Sequence, residues 1–177
     1  MPRPRLIIVC GVPGAGKSTF ARRVVERCDA LSFASEKFAA ELGPSARNKS
    51  GDLTGDAIEH AYGAMGAAIN ASLRDSRLVL AVGSFRTEKQ RKRFRDIAIE
   101  AGADAIAVRI ACPVDLAAAR VRERIAQGEH GPTEGTIGTI DSELTRASDV
   151  EIAIDNNVTI DEFYRRADAA LADILRS

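Results

Sequence analysis

The stretch Gly11-Val12-Pro13-Gly14-Ala15-Gly16-Lys17-Ser18-Thr19 follows directly on the apolar run Leu6–Cys10 and fits the pattern GxxxxGK[ST] in full. Glycines at these positions permit positive φ and close backbone approach, so successive N–H groups can wrap phosphate oxygens at a helix N-terminus. In that geometry Lys17 reaches the β- and γ-phosphates and the Ser18 hydroxyl ligates Mg²⁺. Gly11, Pro13, Gly14, Ala15, Gly16, Lys17, Ser18 and Thr19 are therefore assigned to ATP. The required context is present: an apolar strand before the loop, and Phe20, Ala21, Val24 and Val25 at helical spacing after it. The competing explanation is a glycine-rich strand-to-helix turn with an exposed lysine.

Short aliphatic runs alternate with segments of helical period along the rest of the chain. Leu6–Cys10, Leu78–Val82, Ala105–Ala111 and Val150–Ile154 read as strands buried on both faces, with Leu31–Ala34 as a weaker fifth. Ile58, Ala61, Tyr62, Met65, Ile69 and Leu73 mark one helix, and Phe94, Ile97, Ala98 and Ala101 a second. Ala117, Val121 and Ile125 mark a third, and Phe163, Ala167, Leu171 and Ile174 the last. Parallel strands need crossover connections, so the alternation predicts an α/β fold. The expectation is a single-domain P-loop NTPase fold over residues 1–177, with a five-stranded, mostly parallel sheet, helices on both faces and a short lid. Gly43–Leu53 and Gln127–Gly138 are polar and glycine-rich and read as mobile loops.

Composition narrows the function. At 177 residues, 45% hydrophobic and 28% charged, the chain can bury a core without staples. Lys plus Arg (25) balance Asp plus Glu (25), and zero net charge disfavours a protein whose main task is binding nucleic acid or a membrane surface. Cys10, Cys28 and Cys112 stand far apart with no CxxC pair, which predicts reduced thiols rather than a zinc site. The apolar run behind Met-Pro-Arg-Pro-Arg is too short for a signal peptide or a membrane span, which implies a cytoplasmic protein.

A GTPase would carry a base-reading NKxD motif, whereas Asn48-Lys49-Ser50-Gly51 has only its first two letters and comes too early. An AAA+ or helicase motor would be longer and would carry an acidic motif at a strand end. Compactness points instead to a kinase that passes the γ-phosphate to a soluble acceptor. LIIVCGVPGAGKSTFARR, SEKF, LVLAVGSFRTEKQRKRF, IACPVDLAAARVRER and VEIAIDNNVTIDEF together resemble the small P-loop kinases of the polynucleotide-kinase-like and zeta-toxin-like (AAA_33-type) group, related to gluconate kinases and nucleoside-monophosphate kinases. The resemblance spans nearly the whole chain, and its one specific motif is the phosphate loop.

In such kinases a Ser-Asp-x-x-Arg motif meets the acceptor. Here it reads Ser35-Glu36-Lys37-Phe38-Ala39, so the resemblance implies Glu36 as base and acceptor ligand, with Ala39 where the arginine would stand. An acid in the first turn of a helix capped by Ser35 explains the same letters. Val82 stands where the resemblance would put an Asp that organises water around Mg²⁺, which leaves Ser84 as the polar neighbour; gluconate kinases resemble this stretch more closely. Arg86 to Arg95 carries six basic residues and one acid in ten positions. As a helix opening it would present Arg86 or Arg91 to an anionic acceptor; otherwise it is a solvated face. The resemblance also implies that Arg120 and Arg124, one turn apart, border a lid of about residues 124–138 and neutralise charge on the transferred phosphoryl group. Asn156 is expected beside the adenine, with a turn-forming Asp155-Asn156 pair as the alternative. His60 and His130 are assigned no chemistry, and His130 is expected in solvent.

These readings combine into ATP- and Mg²⁺-dependent phosphorylation of a small soluble acceptor, with Lys17, Glu36, Arg120 and Arg124 as the catalytic set. One rival is a polynucleotide or nucleotide kinase, although no aromatic residues interleave the basic run for base stacking. The other is an ATP-binding sensor or interaction module without turnover, supported by Val82 and Ala39. No motif names the acceptor or the oligomeric state.

Overall fold

Leu6, Ile7, Ile8, Val9 and Cys10 are all wholly buried, and a strand with no exposed face belongs in the middle of a sheet. In the computed structural model this strand, β1 (Arg5–Cys10), pairs in parallel with β3 (Leu78–Val82) on one side and β4 (Asp104–Ala111) on the other. Residues 3–176 are described; Met1, Pro2 and Ser177, which the single-domain reading includes, lie outside them. The outer strands are β2 (Leu31–Ala34) and β5 (Ile152–Asp155), giving the order β2-β3-β1-β4-β5 with every pairing parallel. The sheet is thus wholly rather than mostly parallel. β5 starts later than the apolar run suggests, because the Glu151 side chain turns back to accept the Ala107 N–H at 2.7 Å.

Seven α-helices accompany the strands among the described residues: α1 (Lys17–Arg27), α2 (Ser35–Ala40), α3 (Gly55–Ser72), α4 (Glu88–Glu100), α5 (Val114–Ala126), α6 (Glu134–Thr145) and α7 (Ile160–Arg176). The crossover through α1 runs from β1 outward to β2, whereas those through α3 and α4 run the opposite way. Right-handed crossovers of opposite sense put their helices on opposite faces of the sheet. Phe20 of α1, Met65 and Ile69 of α3, Phe94 of α4 and Phe163 of α7 are the buried anchors. Threonines open three helices: Thr54 accepts from the Ala57 N–H, Thr87 and Gln90 form a reciprocal capping box, and Thr133 accepts from the Thr136 N–H.

Two stretches depart from the sequence reading. Gln127–Gly138 is not loop throughout: the chain is irregular only to Thr133, and α6 then buries Ile137, Ile140 and Leu144. Those three apolar positions at helical spacing were the signal, masked by Gly135 and Gly138. Gly43–Leu53 holds a 3₁₀ turn at Pro44–Ala46 and an isolated bridge between Arg47 and Leu53. It is tied internally by Asn48 Oδ1, which accepts the N–H groups of Ser50 and Asp52. Cys10, Cys28 and Cys112 are free thiols, and burial pushes Cys10 up to about 11. Among the described residues no helix is long and apolar enough to cross a membrane.

Candidate active site

The loop between β1 and α1 is held in shape by its neighbours as much as by its own glycines. Gly14 and Gly16 have φ of 83° and 101°, where L side chains are strained. A Cβ on Gly14 would also run into the Ala117 carbonyl of α5, and one on Gly16 into the Asn156 amide. The Ala15 N–H donates to Val12 O at 3.1 Å, and the helical ladder of α1 begins with the Phe20 N–H on Gly16 O at 3.0 Å. The amides of Lys17, Ser18 and Thr19 therefore have no helical partner and line a cleft of about 390 Å³. This is the anion-binding end of a helix, seated at the C-terminal edge of a parallel sheet.

Lys17 is only 8% exposed, and its ammonium donates to Val12 O at 2.9 Å. Burial lowers it to about 8; the Glu36 carboxylate opposes that shift and the Arg124 charge adds to it. Lys17, Glu36 and Arg124 are thus electrostatic neighbours, and all three line the cleft. Arg120 lines it too, with its Nη1 donating to Gly14 O at 3.2 Å and lying 3.6 Å from Cys112 Sγ. Asn156 is buried behind the loop: its Nδ2 donates to Ala15 O at 2.6 Å and its backbone N–H to Ala111 O at 2.8 Å. Asn156, expected beside the adenine, thus lines the same cleft while its amide is engaged with the phosphate loop, which splints the loop to the end of β5.

The donor set fits Mg²⁺ at one protein position. Ser18 offers its hydroxyl beside Lys17, and Mg²⁺ commonly takes one or two protein oxygens and completes its shell from phosphates and water. Val82 lines the same cleft without a donor, and the described residues contain no cluster of three or more His, Cys, Asp or Glu that could hold a metal.

A second cavity, of about 200 Å³, adjoins the first. Ser35 and Glu36, at the start of α2, line both. Ser35 is the first residue of α2 and not its cap, since Ala34 occupies that position. The remaining walls come from distant segments: Arg47, Asp52 and Leu53 from the loop before α3, Ile58, Ala61 and Tyr62 from α3, and His130, Gly131 and Pro132 from the loop before α6. The two loops meet where the Thr133 N–H donates to Asp52 Oδ1 at 3.2 Å. His130 is exposed as expected, but it stands on this cavity wall. The lid reading of residues 124–138 corresponds to the end of α5, the covering loop and the first turn of α6, with Gly131 packed so closely on α5 that a Cβ would meet Val121.

The loop after β3 explains where the basic run goes. Phe85 has φ of 43°, a strained value for a bulky residue. It is clamped by the Tyr62 hydroxyl, which accepts its N–H at 3.0 Å, by stacking on Tyr62 at 4.9 Å, and by Arg91 Nη1, which donates to its carbonyl at 2.6 Å. Ser84 lines the second cavity and not the cleft that contains Ser18. Arg91, expected at the acceptor, is 2% exposed and grips Asp149 through two bonds of 2.8 and 2.5 Å. It lines neither cavity, because a guanidinium whose donors are committed to Phe85 O and Asp149 closes the core of the domain instead. Arg86 does reach the second cavity, where Glu143 pairs with it at 2.7 Å.

A family match settles the lineage of this arrangement: residues 6–147 match AAA_33, described as an AAA domain. The chain belongs to the AAA_33 family. No curated protein sequence matches it significantly. Among solved structures, this AAA_33 domain is similar to the APS kinase CysC of Mycobacterium tuberculosis in complex with AMPPNP and APS (TM-score 0.72, 19% identity, 100% of both chains covered). It is also similar to a gluconokinase from Sinorhizobium meliloti 1021 (TM-score 0.67, 22% identity, 98% of this chain and 93% of that one). A shikimate kinase from Acinetobacter baumannii in complex with shikimate aligns with a TM-score of 0.65 at 20% identity, covering 98% of this AAA_33 chain and 94% of the other. At these identities the likeness establishes the fold.

Proposed function

We propose that this AAA_33 domain is an ATP-dependent kinase that transfers the γ-phosphate to a hydroxyl of a small soluble acceptor. The observation that carries the reading is the position of Glu36, whose residue lines both the phosphate cleft and the adjoining cavity. An acceptor hydroxyl in the second cavity would face a triphosphate held in the first, with a carboxylate between them. The acceptor oxygen forms a bond to the γ-phosphorus as the bond to the β–γ bridging oxygen breaks, ADP leaves, and the hydroxyl proton passes to Glu36.

Little covalent chemistry is asked of the protein in such a transfer, so positioning and charge dominate. Lys17 and the amides of Lys17, Ser18 and Thr19 hold the phosphates, and Arg124 and Arg120 neutralise charge spreading on the phosphoryl group. Ser18 would hold Mg²⁺, which supplies further charge neutralisation at the β- and γ-phosphates. Arg86, on the cavity wall, is available to the acceptor side. The kinase activities named for the structural neighbours support the same reaction class. A cavity covered by the loop before α6 favours a compact acceptor over a polynucleotide strand.

Val82 favours a second reading, an ATP-binding module without turnover, because a buried valine stands at the end of β3 where an acid would organise metal-bound water. ADP release by the purified protein with Mg²⁺, against pooled sugars, nucleosides, nucleotides, hydroxy acids and oligonucleotides, separates the two. The kinase reading expects acceptor-dependent release that falls about 100-fold in Glu36→Gln with ATP affinity retained. Nucleotide binding with no release in any pool would establish the module.

A further inference from the structure

Resting on the kinase reading above, we infer the chemical class of the acceptor: a compact hydroxy acid whose hydroxyl and anionic group are separated by an apolar body. The inference comes from an accounting of the charges around the second cavity. Of the ionisable side chains on its wall, Arg86 is neutralised by Glu143, at 2.7 Å, while Asp52 keeps its negative charge and is turned to the Thr133 N–H at the opening of α6. Glu36 faces the phosphate cleft as well as the cavity, which accounts for the one carboxylate suited to a hydroxyl. Arg47 is left over. Among the described residues its guanidinium has one partner, the Gly51 carbonyl at 2.7 Å from Nη1, and no carboxylate within 4.0 Å. A half-buried arginine with donors to spare on a cavity wall suits a planar anion such as a carboxylate, which it can hold through two parallel bonds. His130, on the same wall, adds a second donor.

Most of the surface between is apolar, formed by Pro13, Leu53, Ile58, Ala61, Pro132 and Ile140, with Ser35, Ser84, Gln90 and Thr136 on the same walls. A polyol can meet those polar side chains with some of its hydroxyls and would bury the rest against the apolar ones without partners, a penalty that hydrogen-bonding sites avoid and apolar ones impose. An acceptor with one ring or a short branched chain buries that surface favourably instead. Size agrees: about 200 Å³ lies below the range of roughly 300–1,000 Å³ typical of drug-sized ligand pockets, so the acceptor is a small molecule of few heavy atoms. Arg47 and Leu53 belong to the loop that meets the loop before α6, while Ser35 and Glu36 belong to the wall shared with the nucleotide. Anion and reacting hydroxyl are thus assigned to different walls of one cavity.

The test compares three probes on the whole protein with Mg²⁺ and the β,γ-imido analogue of ATP: 4-(hydroxymethyl)benzoate, benzyl alcohol, which lacks the anion, and D-gluconate, which replaces the apolar body with hydroxyls. Binding is read by saturation-transfer NMR and calorimetry. The hydroxymethylbenzoate is expected to bind at least about tenfold more tightly than either other probe, the scale of one charge-assisted hydrogen-bonded pair. Arg47→Gln should abolish its advantage over benzyl alcohol, and Arg47→Lys, which keeps the charge but not the fork, should restore part of it. Gluconate binding as tightly as the benzoate, an advantage that survives Arg47→Gln, or no saturable binding of the benzoate would each overturn the inference. A parallel assay with MgATP keeps the two readings apart. Benzoate bound with the stated preference but never phosphorylated, by a protein that phosphorylates no other acceptor, counts against the kinase and leaves the cavity assignment standing. Transfer to some other acceptor with no benzoate binding keeps the kinase and removes the hydroxy acid.

Discussion

The phosphate cleft and the second cavity share the wall at Ser35 and Glu36, yet they differ in what anchors them. The cleft is centred on one contiguous loop between β1 and α1, its backbone fixed by Asn156 behind and α5 in front, and Glu36, Val82, Arg120 and Arg124 complete its walls from other elements. Lys17 is buried within it. The cavity has no such centre: its walls come from the phosphate loop, α2, the loop before α3 and α3 itself, the segment after β3, and the loop before α6 with α6, and two of those loops are joined by the backbone-to-carboxylate bond between Thr133 and Asp52. A site that must bind one invariant group, a triphosphate, can be made from a rigid local motif. A site that must fit a particular acceptor is made from loops, which can change without disturbing the sheet.

Perturbing the cleft should remove chemistry without removing the fold, and the largest effect is expected at Lys17. Lys17→Met keeps the aliphatic stem and should cost about 10³-fold in kcat/KM, the scale of losing a principal charge stabiliser. Its melting temperature should be equal to or above the parent's, because a charged ammonium no longer has to be buried. A lowered melting temperature would make Lys17 structural and blur the distinction.

Arg91 tests the converse, a basic residue in the motif region that serves the fold alone. Arg91→Met should cost about 2–4 kcal/mol in chemical denaturation, the lower end reflecting the access of Asp149 to water. Arg91 holds the Asp149 carboxyl below the usual carboxylate range. The stabilisation is therefore present above about pH 4 and lost as the pH falls through the depressed value, so the gap between parent and variant should narrow in acid. A loss of activity with unchanged stability would return Arg91 to the acceptor.

Asn156 sharpens the comparison from behind the loop. Asn156→Ala leaves Ala15 O without its donor and should weaken ATP binding about tenfold, by calorimetry, with little change in acceptor KM. The smallest expected effect is a proton count. With Lys17 lowered to about 8, the folded protein holds fewer protons than the unfolded chain between about 8 and the ordinary lysine value, so stability rises with pH across that window. Bound triphosphate favours the charged ammonium, so at about pH 8.5 ATP binding should take up a fraction of a proton. Calorimetry in buffers of differing ionisation enthalpy reads this uptake, and Lys17→Met should abolish it.

Much of the fold was legible because it is encoded locally. β2 and β3 coincide with the aliphatic runs read from the letters, and four of the marked apolar patterns became α3, α4, α5 and α7. α6 was missed because glycines interrupt a short stripe, and Ile125, read as part of an apolar stripe, is exposed at the end of α5. At the site, the phosphate loop was readable residue by residue, and Glu36, Arg120 and Arg124 come together with it on one cleft. Arg91 was misjudged because its partner Asp149 lies 58 positions away, beyond any spacing rule, and the bond by which Asn156, a cleft residue, reaches Ala15, 141 positions away, was hidden for the same reason. Arg47 and His130 carried no local signal at all.

What the sequence determined by itself is whatever depends on neighbours within a few residues: strand and helix period, the glycines that let a loop curl around phosphate, and the lysine and serine that follow. Only the tertiary structure decided which arginine is buried and which is exposed, that an asparagine splints the loop, and that two distant loops close a cavity beside Glu36. Charges and hydrogen bonds act through space, and a residue's role is fixed by the partner that reaches it first.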